Sequence, residues 1–186
     1  PGSGIGFAHV GFPKGRAMME DPPFHITEWL QGEPGLTLAD FRGKVLAIEV
    51  FQMLCPGCVG HGLPQAARIA ATFDPARVAV IGLHSVFEHH AAMTPVALRA
   101  CCHEYRIRFP VAVDAPGEGP LPRTMEAWQL EGTPTLVLLD REGRMRARHF
   151  GRGLFHVEIE VHGLQFQEHR APLDLGALID QHRFHA

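Results

Sequence analysis

A chain of 186 residues with 46% hydrophobic content is long enough to bury one good core and gives no sign of two. Its formal net charge of -3, with Lys, Arg, Asp and Glu interspersed, supplies neither a basic stripe for nucleic acid nor a polybasic segment for a membrane surface, so the expected partners are small proteins or small molecules. Apolar runs fall far short of a membrane span, no charged-then-apolar leader precedes a cleavage site, and four Cys are too few for a disulfide scaffold; a soluble cytoplasmic protein is expected, or an extracytoplasmic one if a signal peptide has been removed.

Residues Pro1 to about Pro23 are rich in Gly and Pro and hold no sustained period, which predicts a flexible leader ahead of a single domain over 24–186. The run Gly2-Ser3-Gly4-Ile5-Gly6 lacks the preceding strand that a dinucleotide-binding loop requires. Phe24 to Leu30 and Leu36-Thr37-Leu38 flank Gln31-Gly32-Glu33-Pro34-Gly35, which predicts two short strands about a turn. Val45 to Leu54 then has the length and composition of a buried strand, and it closes on Cys55-Pro56-Gly57-Cys58.

Pro56 suits the first position of a helix, where a missing N–H costs nothing. Cys55 would cap that helix with its sulfur turned to the free amides, which favours a thiolate there and makes it the attacking sulfur. Cys58, one turn deeper, would resolve it. A zinc site would need a second Cys pair at similar spacing, and none is present. Downstream, Leu63, Ala66, Ala67, Ile69, Ala70 and Phe73 give one apolar helix face, although Gly60, Gly62 and Pro64 soften its opening.

Val78 to Leu83 is a second apolar strand, a helix is expected from about Thr94 to Tyr105, and Phe109 to Val113 reads as a third strand. Buried strands alternating with helices predict a parallel sheet covered on both faces. A short helix spans Thr124 to Leu130, and Gly132-Thr133-Pro134 leads into an antiparallel hairpin, Leu136–Leu139 with Met145–Phe150. The period-two alternation of His156 to His162 predicts an added strand, and Asp174 the cap of a closing helix. Trp128 and the adjacent pair Cys101 and Cys102 read as core residues; neighbours on a helix diverge by about 100°, so a disulfide between these two would be strained.

With a Cys-x-x-Cys after a buried strand, Phe41-Arg42-Gly43-Lys44 before it, an extra strand and helix between Phe109 and Leu130, and Gly132-Thr133-Pro134-Thr135 before the hairpin, the sequence resembles the thioredoxin superfamily in its TlpA-like and redoxin branch. The likeness covers roughly residues 36–150. It implies a three-layer α/β/α sandwich around a mixed sheet, with an inserted strand and helix after the second βα unit, here extended by a C-terminal β segment over 151–186. It further implies a thiol–disulfide oxidoreductase without a cofactor, acting on protein disulfides or dithiols with a thiol electron donor, as a monomer or weak homodimer. Cys55 would be the nucleophile and Cys58 the resolving thiol. A cis Pro134 would sit beside them, with Thr133, Pro56 and Gly57 meeting substrate.

Glu49, six residues before Cys55, stands where thioredoxins bury an acid beneath the disulfide to move protons; a carboxylate in an apolar run needs such a reason. A strand-edge Glu paired with Lys44 or an Arg is the alternative. Leu54 replaces the Trp of many relatives, and Pro64 falls one residue later after the motif than is usual. Gln52, His61 and His84 are candidates for the rim. A redoxin peroxidase acting through Cys55 is a second reading, although Gln52 stands where peroxiredoxins have Thr. A copper carrier of the Sco type, using two Cys and His84, is a third.

Overall fold

The structure, a computed structural model, describes residues 18–151. The expected strand over His156–His162 and the helix from Asp174 lie outside the described residues, as do the first 17 residues of the expected leader. Six strands, β1 (Ile26–Gln31), β2 (Val45–Phe51), β3 (Val78–His84), β4 (Val111–Asp114), β5 (Thr135–Leu139) and β6 (Met145–Phe150), form one sheet in the order β1-β4-β3-β2-β5-β6. The pairs β2–β3 and β3–β4 are parallel, whereas β1–β4, β2–β5 and β5–β6 are antiparallel. This is the mixed thioredoxin-like sheet that the sequence suggests.

β2 holds the centre. Every one of its seven residues is buried, because helices and neighbouring strands leave no wet face for a strand with a partner on each side. Leu46, Ile48 and Val50 pack with Ile81, Leu83, Val137 and Trp128 in one core, each large aliphatic contributing about 1.5–3 kcal/mol by burial. The Trp128 indole, fully buried, donates to the Pro23 carbonyl at 2.7 Å. Ahead of it, Met19 forms an isolated bridge with Met145, so the described end of the leader is tied to β6.

Among the described residues three α-helices accompany the sheet: α1 (Leu63–Thr72), α2 (Pro95–Glu104) and α3 (Arg123–Ala127). Thr94 caps α2, its hydroxyl accepting from the Ala97 N–H at 3.3 Å. α1 buries only Leu63, Ala66 and Ile69; Ala67 and Ala70 are exposed, so its apolar stripe is narrower than the sequence suggests. The expected strand at Leu36–Leu38 is absent. Asp40 accepts from both the backbone N–H and the hydroxyl of Thr37 at 2.7 Å, turning Leu38–Phe41 into a 3-10 helix. β1 pairs with the distant β4 instead.

Candidate active site

The site is built where β2 ends, at the carboxyl edge of the parallel strands, the position open α/β sheets use for chemistry. Residues 52–54 turn the chain, and Pro56 begins the helix. From Cys58 to Gly62 the helix takes one π turn, in which the Leu63 N–H reaches back to the Cys58 carbonyl. A π turn holds one residue more than an α turn. The late position of Pro64 is thereby absorbed, and α1 continues in register.

This opening presents the two sulfurs differently. Cys55 is half-buried; its sulfur accepts from the Cys58 N–H at 3.3 Å, and its thiol donates to the Thr133 carbonyl at 3.6 Å. Cys58 is wholly buried. Burial above all, with the hydrogen bond to Cys55 second, pushes its thiol up to about 12. One sulfur is partly open to solvent, and the other is buried and holds its proton.

Glu49 lies in the middle of β2, between Gly82 of β3 and Leu136 of β5. It is 2% exposed, which excludes the strand-edge alternative with Lys44. Loss of water pushes its carboxyl up to about 8, and its Oε1 has no hydrogen-bond partner. The Thr133–Pro134 peptide is cis. Pro134 packs on the helix opening through glycines: a Cβ on Gly57 would lie 3.2 Å from the proline Cδ, and one on Gly62 would lie 2.9 Å from its Cβ. The structure thus brings together Cys55, Pro56, Gly57, Cys58, Glu49, Thr133 and Pro134.

The proposed rim residues part company. His61 is exposed on the π turn. His84 is 1% exposed, its ring tilted by 53° against Phe51 with centroids 5.2 Å apart, and its Nε2 accepts from the Met53 N–H at 3.3 Å. It belongs under the Cys55 loop and not at the rim, because residues 52–54 fold back over the end of β3. Gln52 is 1% exposed and also faces inward: its Oε1 accepts from the Phe87 N–H at 3.2 Å, and its Nε2 donates to Glu88 at 3.4 Å.

These two corrections weaken the rival readings. Gln52 is buried and bonded to Glu88 and Phe87, which leaves it no exposed face to offer a peroxide at Cys55. His84, the ligand a copper carrier would need, is committed to Met53, and among the described residues no three His, Cys, Asp or Glu side chains are placed to share a metal ion. Sequence reading missed the tie between residues 52–53 and residues 84–88, and the contact of Gly62 with Glu49. Only the unusual glycines at the helix opening hinted at the second.

No family model matches the chain. Among solved structures, a thioredoxin-like superfamily protein is 51% identical, with 88% of this chain and 95% of that one covered at a TM-score of 0.71. A thiol-disulfide isomerase from Corynebacterium glutamicum is 55% identical over 70% of this chain and 85% of its own, at a TM-score of 0.68. The thiol-disulfide oxidoreductase ResA of Bacillus thuringiensis is 26% identical over 126 residues, 68% of this chain. This chain spans 65% of ResA and 17% of another curated relative, the bovine NHL repeat-containing protein 2. Sharing about half of its residues with both solved structures over most of their length, the chain belongs to the thioredoxin-like superfamily.

Proposed function

We propose that this chain exchanges thiols and disulfides through Cys55 and Cys58. The observation that carries the reading is the inequality of the two sulfurs: Cys55 is half-exposed and held by the Cys58 N–H, whereas Cys58 is buried and strongly protonated. In the reducing direction the Cys55 thiolate attacks one sulfur of a substrate disulfide, forming a mixed disulfide and expelling the other sulfur as a thiolate. Cys58 then gives up its proton, attacks the Cys55 sulfur, closes the Cys55–Cys58 disulfide and releases the second substrate thiolate. The substrate gains two electrons, which a thiol donor restores to the enzyme. In the oxidising direction the same steps run backwards.

Glu49 is the proton acceptor in this scheme. It lies beneath the helix opening that bears Cys58, and its raised carboxyl is matched to a proton transfer near neutral pH. Thr133, beside Cys55, meets the substrate chain, with Pro134, Pro56 and Gly57 shaping the surface around the sulfur. Protein disulfides or dithiols are the proposed substrates. We place the protein in the cytosol, as a monomer or weak homodimer; a sequence with only four cysteines suits a reducing compartment. Among the described residues no helix is long and apolar enough to cross a membrane.

The test is trapping. A Cys58→Ser variant incubated with an oxidised protein substrate should accumulate a mixed disulfide at Cys55, identified by peptide mass mapping, while Cys55→Ser should accumulate none. Absence of any adduct with Cys58→Ser overturns the scheme.

A further inference from the structure

Glu49 and Gly62 occupy one another's space. A Cβ built on Gly62 would overlap the Glu49 Oε1 and lie 3.0 Å from its Cδ. The carboxylate therefore fills the place of the side chain that residue 62 lacks. On its other side the same Gly62 Cβ would lie 2.9 Å from Pro134, so the backbone at residue 62 is wedged between the carboxylate and the proline. Such a fit is not a general property of the turn: Gly60, in the same π turn, has nothing within 4 Å of its own Cβ.

We propose that Gly62 is a positioning residue for Glu49: the π turn brings a residue without a side chain over β2, and that vacancy holds the carboxylate beneath the turn that carries Cys58. The inference rests on the assignment of Glu49 as the proton acceptor for Cys58, and it adds the residue that sets where the acceptor stands. The physical reasoning is steric and electrostatic together. Oε1 is buried without a hydrogen-bond partner, an arrangement that costs free energy and persists only where packing denies the side chain another position. A methyl group at residue 62 removes that position. Either the carboxylate swings aside toward water, or the helix opening lifts from Pro134, and both separate Glu49 from Cys58.

The titratable groups on the elements packed around Glu49 are few. The π turn contributes Cys58 and the exposed His61, α1 the exposed Arg68, β3 contributes His84, two residues beyond Gly82, and β5 contributes none between Thr135 and Leu139. Among the described residues no charged partner holds Glu49 in place, and burial is the cause of its raised carboxyl.

The test uses the full chain, reduced, with the carboxyl carbons of glutamate labelled and assigned by comparison with Glu49→Gln. In Gly62→Ala the Glu49 titration should fall by about one pH unit or more toward the ordinary glutamate range. Exchange with an oxidised protein substrate should slow about tenfold, with its pH profile moving in step. Gly60→Ala makes the same change of residue type in the same turn and should move neither. Shortening the acid should make room again, so Gly62→Ala/Glu49→Asp should be more stable and faster than Gly62→Ala alone.

A Glu49 titration in Gly62→Ala identical to that of the parent overturns the proposal. So does a methyl at residue 62 that costs as much in the Glu49→Asp background as in the parent, a comparison that still decides if Gly62→Ala alone does not fold. Failure of the underlying assignment looks different. If Glu49→Gln leaves the exchange profile untouched, Glu49 is not the proton acceptor, while the carbon titration still reports whether Gly62 positions it.

Discussion

The Nε2 of His84, at the end of β3, accepts the backbone N–H of Met53 across a distance of 3.3 Å. This bond fastens the turn before Cys55 to the sheet, and it requires a neutral imidazole, since a protonated ring has only donors. Burial lowers the imidazole to about 4 from 6.5. A folded value below the unfolded one means that the contribution is complete above 6.5 and is lost as pH falls toward 4. Replacing His84 by Ala strands a buried N–H and opens a cavity beside Phe51, so the expected loss at neutral pH is about 3 kcal/mol or more. Denaturant titration checks it. His84→Gln, which can offer an oxygen to Met53, should be less costly and should lose part of the acid sensitivity.

Glu49 produces the opposite slope. Its folded value, about 8, lies above the ordinary 4.5, so its contribution is complete below 4.5 and is lost as pH rises to 8. The reduced protein should lose stability through that window at up to about 1.4 kcal/mol per pH unit. Glu49→Gln removes the ionisation, and its stability should be flatter over the same range. Denaturant midpoints at mildly acid and mildly alkaline pH decide the matter; parallel curves for the two proteins would mean that the carboxyl does not titrate in this window.

The four thiols should react in a fixed order. Cys55 is half-exposed. Cys101 is also half-buried, but burial and the neighbouring Cys102 raise its thiol. Cys58 and Cys102 are buried, and burial raises both of them as well. Because the thiolate is the reacting form, brief treatment of the reduced protein with iodoacetamide should label Cys55 first and Cys101 more slowly, sparing Cys58 and Cys102. Peptide mapping over time reads the order, and early labelling of Cys58 would contradict the placement of the two sulfurs.

What the sequence made legible were the features whose physics is local. An apolar run ending in Cys55-Pro56 announces a strand, a cap and a helix start, and Thr133-Pro134 before a hairpin announces a loop that must return to the same edge of the sheet. Glu49 was visible as a misfit, since a carboxylate among aliphatic residues demands explanation. His84 and Gln52 were not legible, because their burial depends on residues 52–54 folding over β3, a contact between segments more than thirty residues apart. Leu36–Leu38 was misread for a related reason: a single carboxylate, Asp40, captured Thr37 and ended any extended path. The role of Gly62 needed both partners in view, because glycine alone at a helix start signals only flexibility.

Asp114 offers a last test, away from the dithiol but joined to the same sheet edge. Its Oδ1 accepts from the Thr124 N–H at 2.9 Å, and its Oδ2 accepts from the Met125 N–H at 3.1 Å and the Ser85 hydroxyl at 2.8 Å. Burial raises its carboxyl, and these donors oppose the rise. Three donors converging on two oxygens leave little place for a proton, so the geometry favours the carboxylate. An amide at residue 114 would turn its NH2 toward at least one of those donors, leaving a buried N–H or O–H unpaired at about 1–3 kcal/mol. Asp114→Asn should therefore destabilise the protein despite its near-identical shape. Asp114→Ala, which leaves all three donors unsatisfied, should cost more. Equal stability of the parent and Asp114→Asn in denaturant titration would show instead that the buried acid is already protonated.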